Sequence, residues 1–434
     1  MATPYDAIII GAGIIGSCTA FEMAKRGWKT LNVDKLPAAG YGSTSFSSAI
    51  IRTHYSTLEG TALAYEGYFH WRDWEKYIGV EDERGFAKMR HTGCLVMNAD
   101  ENPQVGTWTA LSDELGIPWE DWRAEEIVKK LPFIDLTCYG PPKCLDDPHF
   151  CEPTGGTIQG AVYFPIAGYM NDPQLAAHNA QVAAESAGAH FRFNAEVTDI
   201  RKAGGRVVGI TFADGKEIDA PVVINIGGPH SSKINRMAGV DDKMALSTRA
   251  LREEVAYVPG VPDVDFENNG PIMTDEDAGS YVRPEIGNHL VIGGLNCSCD
   301  SEEWVDPDDF NDSLTDQAQV QLMRMAQRMP TLGIPGHLSG IVACYDVSPD
   351  WIPIYDKTDL AGYYLAIGTS GNQFKNAPVA GALMATLIEA CEQGRDHDAD
   401  PVTFHLENLN RDINIGFFSR NRKINQDSSF SVLG

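Results

Sequence analysis

Apolar positions in the first 34 residues follow two different periods. YDAIII is a short apolar run typical of a strand, IIGSCTAFEMAKRG has apolar residues at helical spacing, and WKTLNVD is a second strand-like run. The helical pattern ends at Gly27. A strand, a helix and a strand in this order favour a parallel sheet, so we predict that the chain begins with an α/β unit.

Both periods recur along the rest of the chain. Residues 60–78 have helical spacing and carry many aromatic side chains, which we interpret as core packing. From 86 to 150 the pattern predicts a strand (TGCLVMN), a helix (TWTALSDELG) and a Pro-rich stretch. Residues 170–228 again predict α/β elements, with a hairpin turn at Asp214-Gly215. Residues 243–297 alternate between apolar and polar as strands do, and residues 315–329 predict one helix. Near the end, GYYLAIGTSGNQFKNAPVAGALMATLIEA predicts a strand, a glycine loop and a small-residue helix. We expect only the tail from about Arg420 to be loose.

Charge and composition exclude several classes of partner. The 434 residues carry 34 Lys and Arg against 60 Asp and Glu, a formal charge of −26, which disfavours nucleic acid and anionic membranes as main partners. MATPYDAIII lacks a secretory pattern, and no run of about 18 apolar residues is present. We therefore expect a cytoplasmic protein without membrane insertion. The nine cysteines form no CxxC pair, and Cys297 and Cys299 lack the second Cys/His pair of a metal site, so we predict reduced thiols and no metal.

A glycine motif lies between the first strand and the first helix. Gly11, Gly13 and Gly16 form GxGxxG, and Asp34 closes the second strand 18 residues after Gly16. Such glycines allow a tight turn and a close approach of the backbone to a pyrophosphate, while the acid accepts hydrogen bonds from a ribose. The motif predicts a bound dinucleotide, and both FAD and NAD satisfy it.

Two further segments favour the larger cofactor. GYGSTSFSSAIIR, after the second strand, is small and rich in hydroxyl groups, as expected for a loop beside an extended cofactor. GTSGNQF, residues 368–374, precedes the last helix and could present backbone amides to the same cofactor. A cofactor touched by both ends of the chain would be large and embedded.

Seven segments, in order, resemble the FAD-dependent amino-acid oxidoreductases of the D-amino-acid-oxidase superfamily, nearest to sarcosine oxidases, dimethylglycine dehydrogenases and glycine oxidase. They are IIIGAGIIG with Asp34, GSTSFSSAIIR, GYMNDPQLAAHNAQVAAESAGAHF, VVINIGGPHSS, SYVRPEIGNHLVIGG, YDVSPDWIPIYD and YYLAIGTSGNQFKNAPVAGALMA. The resemblance implies an α/β fold with a Rossmann-like FAD-binding domain and a second, β-rich antiparallel substrate domain. We place the FAD-binding domain at residues 1–85, 151–232 and 340–412, the substrate domain at 86–150 and 233–339, and a tail at 413–434.

The resemblance also implies roles for individual residues. Arg52 and Lys375 match the pair that holds the substrate carboxylate, and Tyr345 and Tyr281 match aromatic residues beside the substrate amine. An ion pair between Arg52 and a protein acid is the alternative. The implied FAD contacts are Gly11, Gly13, Ile14, Ile15, Gly16, Asp34, Lys35, Ser43, Thr44, Ser45, Ser48, Ala49, Ile50, Val197, Gly227, Gly228, Gly371, Asn372, Gln373, Phe374 and Lys375.

Two departures from the family pattern concern the flavin. The cysteine that binds flavin covalently in monomeric sarcosine oxidases corresponds to Ala343, with Cys344 one residue away, so we expect noncovalent FAD. The lysine that helps oxygen to react corresponds to Val291 or Ile292. This second change implies a dehydrogenase that passes electrons to a carrier, or a slow oxidase; the acceptor is therefore oxygen or an electron carrier.

The resemblance predicts oxidation of the C–N bond of a small amino acid, N-methylated or cyclic, by hydride transfer to flavin N5 and hydrolysis of the imine. Two alternatives stay open. One is oxidation of a 2-hydroxy acid, for which a base would have to take the hydroxyl proton. The other is a noncatalytic flavoprotein that acts as an assembly or regulatory factor. His54 and His230 lie near motifs, but neither is assigned a catalytic role.

Overall fold

The computed structural model describes residues 5–99 and 102–434, so the first four residues of the N-terminal pattern lie outside it. Its α-helices are α1 (Ile14–Lys25), α2 (Leu58–Arg72), α3 (Trp74–Ile78), α4 (Val105–Leu115), α5 (Ala124–Lys130), α6 (Pro173–Ser186), α7 (Ser231–Ala238), α8 (Phe266–Asn269), α9 (Asp316–Arg328) and α10 (Ala377–Glu392). Within the described ranges, none of the helices is long and apolar enough to cross a membrane.

The strands of the described residues fall into five sheets. In chain order they are β1 (Ala7–Ile10), β2 (Thr30–Val33), β3 (Ile50–Ile51), β4 (Met89–His91), β5 (Cys94–Met97), β6 (Glu120–Arg123), β7 (Gly160–Phe164), β8 (Gly168–Met170), β9 (His190–Arg192), β10 (Val197–Ala203), β11 (Arg206–Phe212), β12 (Glu217–Asp219), β13 (Val222–Asn225), β14 (Arg249–Pro259), β15 (Ile272–Asp275), β16 (Ser280–Glu285), β17 (His289–Gly294), β18 (Glu303–Trp304), β19 (Ser339–Val347), β20 (Ile354–Lys357), β21 (Tyr363–Ile367), β22 (Thr403–Leu406) and β23 (Arg411–Asn414).

The first sheet has the order β20-β21-β13-β1-β2-β9 and is parallel except for the β20–β21 pair. Its central strand β1 is buried on both faces, which explains why its sequence is uniformly apolar. Ala7 and Ile9 belong to a core shared with α1, α6 and α10, whereas Ile8 and Ile10 face a second core shared with β10 and β11. The predicted parallel α/β unit is confirmed.

The largest sheet runs β19-β14-β17-β16-β15-β5-β7-β6, with β18 beside the start of β14. Neighbouring strands are antiparallel except β15 and β5. Side chains from alternate positions, among them Ala256, Val282 and Ile292, share one core with Leu322 and Met325 of α9. The remaining positions face the opposite side, where the candidate site lies. The predicted fold class, an α/β domain with a second antiparallel region, is confirmed.

The structure differs from the expected boundaries at several points. β7 and β19, which we placed in the FAD-binding domain, pair with strands of the large sheet. Side-by-side pairing, which local sequence does not specify, decides this membership. The helix expected over residues 60–78 is interrupted at Asp73, which lies between α2 and α3. The assignment of whole domains stays a prediction.

The expectation of a loose tail is wrong. Arg420 is 1% exposed and forms ion pairs with Asp356 and Asp398. The guanidinium of Arg422 lies 2.7 Å from a carboxylate oxygen of Asp350. These ion pairs join segments that are far apart in the sequence, so the hydrophobic pattern of the tail could not predict them. They fix the path of the last residues toward the candidate site.

Candidate active site

The glycine turn after β1 brings the chain back close to itself. Gly11 has φ +109°, and a Cβ added there would lie 2.1 Å from the carbonyl oxygen of Ile226. A Cβ at Gly16 would lie 2.0 Å from the carbonyl oxygen of Gly11. Gly13 is different, because its φ is −68° and an added Cβ would meet only Thr44 Oγ1, at 3.1 Å. Backbone contacts within the fold therefore require glycine at positions 11 and 16. Gly13 lines the cleft, and an added Cβ there would be close only to Thr44.

The N-terminus of α1 is open toward an anion. Its N-cap, Gly13, provides no capping side chain, and only the first amide, that of Ile14, donates to Thr44 Oγ1 at 3.1 Å. Asp34 lies beside this turn, where its carboxylate accepts from the amides of Ala12, at 2.8 Å, and Leu36, at 2.9 Å. Free helix amides next to a fixed carboxylate are the arrangement that binds a pyrophosphate and its ribose.

A large cleft extends from this turn to the face of the large sheet. It holds about 1450 Å³ of space outside protein atoms, part of which is open solvent. Gly13–Gly16 contribute to its wall, together with segment 43–50, segment 371–375 and strand β19. With the uncovered helix terminus, a cleft lined by these separate segments fits an extended cofactor such as FAD together with a small substrate.

Two of the loops around the cleft contain strained backbone. Ala49 has φ 49° and Ser370 has φ 45°, although neither is a glycine. Ala49 directly precedes β3, and Ser370 lies within the predicted glycine loop, residues 368–374. Such conformations persist where the surrounding structure imposes them, and they are common at ligand sites.

Most of the predicted cofactor contacts surround this cleft. Gly13–Gly16, Ser43, Thr44, Ser48, Ala49, Ile50, Gly228 and Gly371–Lys375 contribute to its wall. The cleft wall does not include Gly11, Asp34, Lys35, Ser45, Val197 or Gly227. Lys35, for example, forms an ion pair with Asp308 and lies 3.0 Å from Nε2 of His230, and Val197 is buried at the start of β10. Cofactor contact by these residues stays a prediction.

Arg52 and Lys375, the predicted carboxylate ligands, lie on the same aromatic ring. The Arg52 guanidinium is 4.4 Å, and Lys375 Nζ 5.3 Å, from the ring centroid of Tyr55. The side chains are buried, with residue exposures of 5% and 3%. Lys375 Nζ donates to the Asn372 carbonyl at 2.8 Å and to Tyr55 Oη at 3.1 Å. The structure therefore brings the two cations together, as expected.

The guanidinium of Arg52 is held by backbone carbonyls. It donates to Leu433 at 2.6 Å, to Val432 at 3.0 Å and also to His54. Among residues 5–99 and 102–434, no carboxylate forms an ion pair with Arg52 or Lys375. The alternative of a protein acid as partner of Arg52 thus finds no support in the described part of the chain. The carbonyls of Val432 and Leu433 accept from the guanidinium to which the family resemblance assigns a substrate carboxylate.

Burial lowers the pKa values of the basic groups at this site, and neighbouring positive charge adds to the effect at Lys375 and His54. Burial lowers the pKa of Arg52 and, far more, that of Lys375, which the neighbouring charge of Arg52 lowers further. His54, whose ring nitrogens have no hydrogen-bond partner in the described structure, also has a pKa well below its usual value, because of burial and then the two cations. His54 stacks on Phe164 and is best described as a neutral core residue.

Register places the predicted tyrosines on one face of the large sheet. Tyr281 pairs with Gly293, which pairs with Val255, and its hydroxyl lies 2.9 Å from Ser48 Oγ. The ring of Tyr345 lies against Gly371, where an added Cβ would come within 2.4 Å of it. Burial raises the pKa values of both phenols, so both stay neutral. Their contact with a substrate amine stays a prediction.

The sequence analysis missed three parts of the site: Tyr55, the segment 432–433 and Glu253. Glu253 lines the cleft and accepts from Asn296 Nδ2 at 2.6 Å, and burial raises its pKa to about 7. An acid at an inward position of the alternating segment REEVAY was a possible signal for it. No local pattern marks the other two, since they depend on contacts between distant segments.

The two departures from the family pattern can also be placed. Ala343 and Cys344 both line the cleft, and burial raises the pKa of the Cys344 thiol to about 11. Val291 pairs with Arg283 on the same face as Tyr281, and Ile292 belongs to the opposite core. Of the two candidates for the lysine position, only Val291 is therefore on the cleft side.

Comparisons with known proteins agree with this geometry. A family model described as "DAO: FAD dependent oxidoreductase" matches residues 6–387. The sarcosine oxidase subunit beta of Rhodobacter capsulatus is 26% identical over 392 residues, covering 88% of this chain and 84% of the relative. The glycine oxidase of Geobacillus kaustophilus is 25% identical over 418 residues, or 94% of this chain and 98% of the relative. The solved L-proline dehydrogenase from P. horikoshii, 20% identical, superposes with a TM-score of 0.74 over 97% of this chain and 98% of that one, which shows the fold alone.

Proposed function

The chain belongs to the DAO family of FAD-dependent oxidoreductases, and we propose that it oxidises the C–N bond of a small amino acid whose nitrogen is methylated or part of a ring. Membership confirms the resemblance inferred from the sequence and identifies FAD as the cofactor. The relatives' names refer to sarcosine, glycine and proline, which supports amino-acid oxidation but leaves the substrate open.

One observation carries the proposal: two buried basic side chains share one site without a carboxylate partner in the described structure. Arg52 and Lys375 repel each other, and both have lost hydration. An anion bound between them would offset both costs, and a carboxylate suits the fork of a guanidinium. The substrate carboxylate would therefore bind beside Tyr55, and its binding would favour the protonated form of Lys375.

The end of the chain competes with a carboxylate for the donors of Arg52. The carbonyls of Val432 and Leu433 occupy two donors of the guanidinium, and both residues line the cleft. A carboxylate forms stronger, charge-assisted bonds to the same donors. We therefore infer that substrate displaces the 432–433 backbone from Arg52.

The remaining groups orient the amine. With the carboxylate beside Arg52, the aromatic face of Tyr281 or Tyr345 would lie along a positively charged or developing iminium nitrogen. FAD, when bound, supplies the hydride acceptor, and the resulting imine would be hydrolysed by water. Segments 13–16, 43–50 and 371–375 would hold the FAD; Ala343 offers no thiol, so its attachment would be noncovalent. Val291, in place of a lysine, favours an electron carrier over oxygen as acceptor.

Anaerobic flavin reduction tests this function. Holoprotein would be mixed with sarcosine, dimethylglycine, proline, glycine and 2-hydroxyglutarate, and the loss of the oxidised flavin band would be followed. We expect bleaching by an N-methylated or cyclic amino acid, and slow recovery when air is readmitted. Bleaching by the hydroxy acid alone would establish the rival chemistry, and an unchanged spectrum with every compound would favour a noncatalytic flavoprotein.

A further inference from the structure

Outside the cleft, three cysteines meet beside one arginine. Cys297 and Cys299 lie in the loop after β17, within a turn closed by a 2.9 Å hydrogen bond from the Asp300 amide to the Cys297 carbonyl. Cys144 comes from a distant loop, and its Sγ donates to the Cys299 carbonyl at 2.7 Å. All three cysteines are partly exposed. Among the described residues, no group of Cys, His, Asp and Glu side chains is arranged to hold a metal ion.

Arg324 of α9 places a buried positive charge against one of these sulfurs. Its side chain is 2% exposed, and its Nη2 donates to Cys299 Sγ at 3.0 Å. The same guanidinium binds both carboxylate oxygens of Asp300 at 2.8 Å, which fixes its plane. A partly exposed sulfur that accepts from a cation is the environment in which a thiolate forms.

The neighbouring thiols also lower the pKa of Cys299. The thiol of Cys297, Arg324 and Cys144 lower the pKa of Cys299, burial and the charge of Asp300 raise it, and the resulting pKa is about 7. The neighbouring Cys299 and burial raise the pKa of Cys297. These opposite shifts favour a thiolate at Cys299 and a proton on Cys297, which is the division of roles that a reactive dithiol needs.

We propose that Cys299 and Cys297 form a dithiol that reacts with hydroperoxides. The Cys299 thiolate attacks one oxygen of hydrogen peroxide, the O–O bond breaks, and water leaves after protonation, so that Cys299 becomes a sulfenic acid. The Cys297 sulfur then attacks the Cys299 sulfur, the S–O bond breaks, and a second water leaves as the disulfide forms. The two thiols lose two electrons, which reduce one peroxide to two waters.

The loop that carries this dithiol also reaches the cleft. Leu295 lines the cleft, and Asn296 donates to Glu253 inside it. The Leu295 amide and the Cys297 thiol both donate to the Gly279 carbonyl, just before the strand that carries Tyr281. A change in the Cys297–Cys299 linkage would therefore occur within two residues of the cleft wall. The dithiol chemistry itself does not depend on the proposed function.

Alkylation of the holoprotein tests the thiolate. Iodoacetamide would be applied from pH 5.5 to 9, with each cysteine quantified by peptide mass spectrometry. We expect a midpoint near pH 7 for Cys299. Cys391, also partly exposed but with a pKa raised to about 11, is the internal control. At pH 7 a larger fraction of Cys299 than of Cys391 is thiolate, but the more acidic thiol is the weaker nucleophile. Together these two effects predict that iodoacetamide alkylates Cys299 roughly 50- to 100-fold faster than Cys391. Equal rates would overturn the proposal.

Peroxide treatment tests the disulfide. One equivalent of hydrogen peroxide should consume two thiols and yield a peptide linked through Cys297 and Cys299. Cys297→Ser should stop at a sulfenic acid that dimedone traps on residue 299, Cys299→Ser should lose the rapid reaction, and Cys391→Ser should behave as the parent. FAD absorbance and circular dichroism verify folding of each variant. A Cys144–Cys299 bridge, or undiminished peroxide consumption by Cys299→Ser, would refute the assignment.

Discussion

Replacing Arg52 by alanine separates its role in substrate binding from its role in holding the end of the chain. A guanidinium can give a carboxylate two charged hydrogen bonds, each contributing about 1.5–3 kcal/mol. We take the lower value for each bond, because the variant also frees the donors' present acceptors, Val432 and Leu433. The expected loss of about 3 kcal/mol corresponds to a roughly 150-fold lower kcat/KM.

The assay compares a substrate with its neutral analogue. Sarcosine, or whichever amino acid reduces the flavin, is tested beside its amide, which keeps the amine and the reacting carbon but lacks the negative charge. Arg52→Ala should lower kcat/KM by roughly 150-fold for the acid and by less than about threefold for the amide. Arg52→Lys keeps the charge without the fork and should give an intermediate loss. Arg72→Ala, at an exposed ion pair with Asp73, is the matched control.

The two substrates make the outcomes distinguishable. An equal loss for acid and amide would mean that Arg52 supports activity only through the fold, by holding residues 432–433. Wild-type kcat/KM for the acid in Arg52→Ala would remove Arg52 from the site altogether. FAD content and the thermal transition should be measured for each variant, because a misfolded protein would lose activity toward both compounds.

Three further predictions concern the cofactor, the lysine and the end of the chain. Gly13→Val should fold but retain no FAD after gel filtration, because its side chain would enter the cleft, whereas Gly16→Val should lower the melting temperature through a backbone clash. Carboxylate inhibitors should bind more weakly as the pH rises through the lowered pKa of Lys375, because they favour its protonated form. Calorimetry in two buffers should therefore detect proton uptake on binding, and Lys375→Met should abolish it. A variant ending at Ser429 should bind such inhibitors about tenfold more tightly, since at least one charged hydrogen bond, ~1.5 kcal/mol, no longer has to be displaced; unchanged or weaker binding in titrations would contradict this.

The parts of the fold that the sequence could predict are those set by neighbouring residues. GxGxxG with Asp34 specifies a turn and a hydrogen-bonded acid within one strand–helix–strand unit, and the structure joins them through the Ala12 amide. The strand and helix near residues 94–115 and the single helix near 315–329 were predicted for the same reason, since their periodicity is local. The meeting of Arg52 with Lys375 came from the family resemblance, not from periodicity.

What was missed depends on contacts between distant segments. Arg420 and Arg422 were predicted to lie in a loose tail, because no local pattern shows that they form ion pairs with the buried Asp356 and Asp350. Buried ion pairs of this kind leave no hydrophobic period. Glu253 is similar: whether an acid on a strand faces solvent or a cleft depends on which strands pair with it.

The position of the chain's last residues links three events at the candidate site. Withdrawal of Val432 and Leu433 alone would leave Arg52 buried with two unsatisfied donors, which is costly. A carboxylate that arrives without that withdrawal finds Nη2 of Arg52 already bonded to two carbonyls, and its full attraction to Lys375 requires a proton that burial disfavours. Each event is unfavourable alone and is compensated by the others, so carboxylate binding, movement of the 432–433 backbone and protonation of Lys375 should occur together. A neutral amide cannot form charge-assisted bonds to replace those that it would displace, so it should leave the end of the chain in place. Residues 430–434 should therefore be protected from hydrogen exchange or protease with the amide, and less protected with the carboxylate.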